Sequence, residues 1–189
     1  SVGAAWVALN AWSALFVFLG AFFYAVVYTV WLKRRTWLNI VFGGLAGSWA
    51  VLAGATAADP QPGAIPLTLA LVLFLWTPPH FWSLAIAFRD DYAAAGVPML
   101  PVVVGDQQAA NTIFFSTLAL VAASLLPLAF GLGMIYFAGA FAGGFLFIQK
   151  AWRLTRDPCR KSAMICFHAS LIQLTLVLFG AILDTQSGF

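Results

Sequence analysis

Six apolar stretches, each long enough or nearly long enough to cross a hydrocarbon core, dominate the 189-residue chain. They cover residues 9–32, 40–57, 66–87, 112–132, 134–151 and 165–183. A helix needs about 20 mainly apolar residues to cross a bilayer. In lipid, backbone polar groups must be satisfied within the protein. The pattern dictates an all-α fold, a polytopic transmembrane helix bundle, with residues 1–189 as one domain. Charged residues are 8% of the chain and hydrophobic residues 63%, whereas soluble domains carry about 25% charged residues.

The charges are distributed asymmetrically. Lys33, Arg34 and Arg35 follow the first stretch, and Arg89 follows the third. Lys150, Arg153, Arg156, Arg160 and Lys161 surround the fifth connection, and these complete the nine basic residues. The second and fourth connections and the C-terminal tail carry none. Alternate connections share a face, and the positive-inside rule assigns the basic face to the cytoplasm and the C-terminus to the opposite side. The net charge of +3 therefore reads as orientation and attraction to anionic membrane lipid, not as nucleic-acid binding. Cys159 and Cys166 match no metal spacing and are read as reduced thiols. The chain opens on Ser1, and residues 1–8 resemble the end of an apolar segment already under way. Earlier helices are expected to precede it in the natural protein.

The basic face also holds the residues suited to chemistry. Lys33-Arg34-Arg35-Thr36 serves either as a helix-end anchor or as an anion clamp, since these cations and a hydroxyl bind phosphate oxygens. Asp90 and Asp91 gain nothing from orientation and suit a hard cation. Mg²⁺ is typically held by one or two carboxylates with waters and substrate phosphates. Arg89 offers another phosphate contact. Together these predict diphosphate chemistry at the membrane surface.

The third stretch contains Pro78-Pro79, which predicts a broken helix at this point. His80 follows, roughly 12 Å below the end of the stretch at 1.5 Å per residue, flanked by Trp76, Phe81 and Trp82. An ionisable side chain at that depth is a functional candidate. The alternative is a neutral imidazole bonded to a carbonyl of the broken helix. His168 reads as structural, in the first turn of the last helix. Residues 88–111 form the longest connection, and its apolar run 97–104 is expected to pack over the mouth of the bundle as a lid. Gly43, Gly47, Ala50 and Gly54, and again Gly139 and Gly143, predict faces where helix backbones approach closely.

Several strings resemble one enzyme family. They are Tyr28-Thr29, Leu32-Lys33-Arg34-Arg35-Thr36, Asn39-Ile40-Val41, the run from Phe74 through Trp76-Thr77-Pro78-Pro79-His80-Phe81-Trp82 to Ala85, and Asp90-Asp91-Tyr92 with Gly96-Val97-Pro98-Met99-Leu100-Pro101-Val102. They are similar to the protohaem IX farnesyltransferases, or haem O synthases, of the UbiA superfamily of intramembrane prenyltransferases. The resemblance implies transfer of a farnesyl group from farnesyl diphosphate to a vinyl group of haem B, giving haem O for haem-copper oxidases. It implies a bundle of about nine helices, of which six are present, in a bacterial inner membrane with a cytoplasmic active site. Haem A synthase or a terminal oxidase would be the associated partners.

By the same resemblance Lys33, Arg34 and Thr36 bind diphosphate, and Asp90 and Asp91 hold Mg²⁺. His80 is catalytic, and Tyr28, Asn39, Trp76, Phe81, Arg89 and Tyr92 contact substrate. Two departures stand out. The acids are an adjacent pair and not spaced, and the superfamily's first aspartate-rich motif is nowhere in the sequence, so it is expected in the preceding helices. Rival readings are a UbiA-type enzyme acting on a quinone precursor or chlorophyllide, a membrane transporter, and a non-catalytic haem-binding assembly factor with His80 as axial ligand.

Overall fold

The computed structural model describes residues 1–187 and is helical throughout apart from its connections. A short α1 (Val2–Ala8) precedes α2, which is α-helical over Ala11–Phe22 and continues in π-helical register over Phe23–Leu32. Then follow α3 (Asn39–Ala58), α4 (Ala64–Ala87), the short α5 (Arg89–Ala94) and α6 (Leu100–Val104), and α7 (Asp106–Ala123) with a 3-10 turn over Leu126–Phe130. The chain closes with α8 (Met134–Arg156) and α9 (Arg160–Ser187). Six of these elements are long and apolar enough to cross a membrane, so the protein is an integral membrane helix bundle.

Three spans are clearly longer than hydropathy alone indicates. The fourth begins at Asp106, not at residue 112, the fifth runs on to Arg156, not residue 151, and the sixth begins at Arg160, not at residue 165. Polar residues at the interface continue the helix, although the apolar signal ends with the hydrocarbon. His168 consequently lies in the third turn of α9, not the first, and its Nδ1 is 2.7 Å from the Met164 carbonyl oxygen. The long third connection is also more ordered than a loop. It folds into α5 and α6, and Val97, Met99 and Leu100 join the buried core. Gly105, with φ of +83°, makes the turn from α6 into α7, a conformation that favours glycine.

The expected break at Pro78-Pro79 does not occur, and α4 runs without interruption from Ala64 to Ala87. The prolines still remove the donors that would reach the carbonyls of Phe74 and Leu75. The helix is held from outside. α4 packs on α3, α7 and α9, and 61% of its most apolar window is buried, against 39% or less in the other spans. Hydroxyls reinforce it on either side of the prolines. Thr77 Oγ1 donates to the Leu73 carbonyl at 2.9 Å and Ser83 Oγ to that of Pro79 at 2.6 Å, carbonyls other than the two that the prolines leave free.

The two glycine faces differ in what they accommodate. A Cβ on Gly139 would lie 2.6 Å from the Leu176 carbonyl oxygen, and one on Gly143 would lie 2.9 Å from Gln173 Cα. The α8–α9 hairpin is thus a close backbone approach, as expected. On α3, Gly43 faces the Tyr28 ring and Gly47 faces the Leu73 side chain, while Gly54 faces open space. That face makes room for side chains, and the expectation of backbone approach there is corrected.

Candidate functional site

Connections one, three and five meet at one end of the bundle. Arg34 and Arg35 line a cleft of about 350 Å³ with Ala93, Gly96 and Val97. Arg160, at the start of α9, lines a cleft of about 500 Å³ with Arg89, Asp90, Asp91 and Asp106. Its guanidinium lies over the Phe88 ring, 5.0 Å from the centroid. Gln107 Nε2 donates to the Thr155 carbonyl at 2.9 Å, which ties the start of α7 to the end of α8. The shared face predicted from charge alone is therefore present.

The turn after α2 is built by its own polar groups. Asn39 Nδ2 donates to the Lys33 carbonyl at 3.1 Å, and the Leu38 N–H donates to Thr36 Oγ1 at 3.3 Å. Asn39 is fully buried, and its Oδ1 has no partner among the described residues. Trp37 packs on Trp82 at 6.0 Å between ring centroids, fixing the turn against α4. These contacts aim Lys33, whose Nζ lies 6.0 Å from the centre of the Tyr28 ring.

The π register explains that contact. Five residues in an α-helix turn about 140° beyond a full circle, which would put Tyr28 and Lys33 on different faces. Here the Lys33 N–H donates to the Tyr28 carbonyl at 2.8 Å, the i→i+5 bond of a π-helix. Both side chains consequently line one cleft of about 360 Å³, with Tyr24, Gly43, Thr77 and Phe81.

The acidic cleft is electrostatically open. Asp90 and Asp91 are exposed in the first turn of α5, and neither forms an ion pair among the described residues. Arg89 Nη1 approaches Asp106 Oδ2 at 3.5 Å, a long and partly exposed pair, while Asp106 Oδ1 is buried without a partner. No three His, Cys, Asp or Glu side chains among the described residues gather to hold a metal by protein ligands alone. Asp90 and Asp91 still fit Mg²⁺, which commonly takes one or two carboxylates and completes its shell with waters and phosphate oxygens. Tyr92 is half-buried, and burial pushes its phenol above the usual range, so it stays a neutral hydroxyl at physiological pH.

His80 occupies a different kind of environment. Its ring is stacked between Trp76 at 4.0 Å and Phe167 at 4.4 Å, with Phe81 edge-on at 4.9 Å. Its Nδ1 is 2.7 Å from Ser170 Oγ. Ser170 Oγ is also 2.6 Å from the Phe167 carbonyl, so the hydroxyl links the imidazole to the backbone of α9. Trp76 Nε1 donates to the Ser170 carbonyl at 2.8 Å. Both side chains are buried and join α4 to α9, and neither lines the three clefts described above.

The sequence-based candidates thus separate into groups. Arg89, Asp90 and Asp91 share one cleft, and Tyr28, Lys33 and Phe81 share another. Arg34 lines a third, which α5 connects to the acidic one. Asp106 and Arg160 were missed in the acidic cleft, and Ser170 was missed beside His80. Asp106 was detectable, because the charge argument that singles out Asp90 and Asp91 applies to any acid on the basic face. Ser170 carried no such signal, since it lies ninety residues from His80.

Residues 1–172 match the model of the UbiA prenyltransferase family. The chain belongs to that family. It is 60% identical over 177 residues to protoheme IX farnesyltransferase 2 of Paramagnetospirillum magneticum, an alignment covering 94% of this chain and 62% of the relative. It is 52% identical over 172 residues to protoheme IX farnesyltransferase 1 of the same organism, covering 90% and 61%. The protoheme IX farnesyltransferase of Hahella chejuensis is 45% identical over 177 residues, covering 93% and 58%. The chain therefore spans about three fifths of the length of these curated relatives. No solved structure matches it.

Proposed function

We propose that the full protein transfers the farnesyl group of farnesyl diphosphate to a vinyl group of haem B, forming haem O, and that this chain carries the second half of the diphosphate site. The observation that carries this reading is the meeting of the Lys33–Thr36 turn, α5 and Arg160 at one end of a UbiA bundle. The names of the relatives, all protoheme IX farnesyltransferases, favour haem over a quinone precursor as acceptor.

Lys33, Arg34, Arg89 and Arg160 bind phosphate oxygens through charge-assisted hydrogen bonds and stabilise the charge that grows on the diphosphate as it departs. Asp90 and Asp91 would hold Mg²⁺, which when bound supplies further neutralisation of that charge. The allylic C–O bond breaks, and the farnesyl carbon becomes cationic. Tyr28 and Phe81 present aromatic faces to it and restrict bulk water. The vinyl group of haem B forms the new C–C bond, and one water adds to the resulting cation and loses a proton. His80 and Trp76 act as positioning residues, setting Phe81 by fixing α4 to α9. On this reading the basic end faces the cytoplasm of a bacterial inner membrane, and the product passes to haem A synthase or a terminal oxidase.

The test is incubation of the full-length protein with Mg²⁺, farnesyl diphosphate and either haem B or 4-hydroxybenzoate, read by product mass. Haem O from the first mixture alone supports the proposal. A prenylated benzoate without haem O would assign a different acceptor, and no product from either would remove the enzymatic reading.

A further inference from the structure

Gly43 stands where the Tyr28 ring needs space. A Cβ at this position would lie 2.9 Å from Tyr28 Cδ2, closer than real Cβ contacts come, and 3.3 Å from Cγ, which is tight. The ring is also bounded on its own helix, since Tyr24 lies 6.0 Å away between centroids. A side chain at Gly43 would therefore drive the Tyr28 ring off α3 and into the cleft that both residues line. That cleft, about 360 Å³, falls within the range typical of small-ligand sites. It has a cation at its outer end, Lys33, and a lining of Tyr24, Tyr28, Thr77 and Phe81 beyond it. The order along the helices is consistent. Lys33 ends α2, with Tyr28 and Tyr24 successively further in, and Phe81 and Thr77 descend α4 in parallel.

A charged mouth above an aromatic, largely apolar trough suits an amphiphile with an anionic head and a hydrocarbon tail. We infer that this cleft takes the prenyl tail of the diphosphate substrate, and that Gly43 is a specificity-determining residue that sets its width by letting Tyr28 lie flat against α3. The inference rests on the proposed function for the identity of the ligand. It separates the tail trough from the phosphate-binding groups, and so assigns Gly43 to the tail alone.

The experiment measures direct binding of tritiated farnesyl diphosphate and of inorganic diphosphate to the full-length protein in lipid nanodiscs, for the wild type, Gly43→Ala and Gly54→Ala. Overpacking of this severity should raise the Kd for farnesyl diphosphate at least about tenfold in Gly43→Ala. The Kd for inorganic diphosphate should stay at the wild-type value, which also shows that the variant is folded. Gly54→Ala, whose new methyl meets open space, should bind both as the wild type does. Equal weakening of both ligands, or no weakening of either, overturns the inference. Failure of the wild type to make haem O, with the tail-selective loss intact, would sink the functional reading and leave the trough standing.

Discussion

Asp184 and the Asp90-Asp91 pair, at opposite ends of this bundle, are used in opposite ways. At the end without basic residues, Asp184 is buried near the end of α9 and accepts hydrogen bonds from the backbone N–H groups of Gly133, Ile135 (3.2 Å) and Tyr136 (3.4 Å). It satisfies the start of α8, whose first N–H groups have no helical partner, and its charge favours that positive pole. At the basic end Asp90 and Asp91 are exposed and free of ion pairs among the described residues. A carboxylate whose bonds are all internal serves the fold, and one left open to a cleft beside arginines is placed for something that arrives.

The largest contrast should come from removing one of each. Asp91→Ala, or Lys33→Ala, in the full-length protein should lower haem O formation by about 10²–10³-fold, the range for a lost transition-state contact. The thermal unfolding midpoint in detergent should hardly change. Asp184→Ala should do the reverse. Three backbone donors lose a charged acceptor, which destabilises the fold by roughly 2–3 kcal/mol, while turnover per folded molecule persists. If Asp184→Ala abolished turnover at full stability, the division between the ends would fail.

A smaller effect is expected within the α8–α9 hairpin. Gly139→Ala forces a methyl against backbone and should cost about 1–3 kcal/mol, read from the shift in unfolding midpoint. The smallest belongs to Asp106→Asn. Its ion pair with Arg89 is long and partly exposed, so stability should change by less than about 1 kcal/mol. Released from Asp106, Arg89 is less well aimed, and KM for the diphosphate substrate should rise a few-fold with kcat nearly constant.

Much of this was legible in the sequence because it follows from the solvent. Bilayer thickness fixes the number of spans, and the charge bias of the connections fixes which ends share a face, so the connections that carry Lys33, Asp90 and Arg160 are assigned to one side of the membrane by sequence, although Arg160 is not thereby assigned to the acidic cleft. The rest depends on packing between distant segments. Pro78-Pro79 reads as a break in isolation, but α4 is enclosed by three helices and the local rule yields. The π register of Phe23–Leu32 leaves no mark in a mainly apolar run, so the sequence could not show that Tyr28 and Lys33 share a cleft. The depth of His80 is readable from the sequence, but its surroundings are not, because its stacking partner Phe167 and its hydrogen-bond partner Ser170 come from the far end of the chain.

The central claim is that the Lys33 turn and the Asp90-Asp91 pair act on one diphosphate group. The most direct test is the Kd of a non-hydrolysable farnesyl diphosphate analogue for wild type, Lys33→Ala and Asp91→Ala, with and without Mg²⁺. The account predicts that both substitutions weaken binding at least about tenfold, and that removing Mg²⁺ weakens the wild type but not Asp91→Ala. Wild-type affinity in either variant, or an equal Mg²⁺ effect in all three proteins, would contradict it.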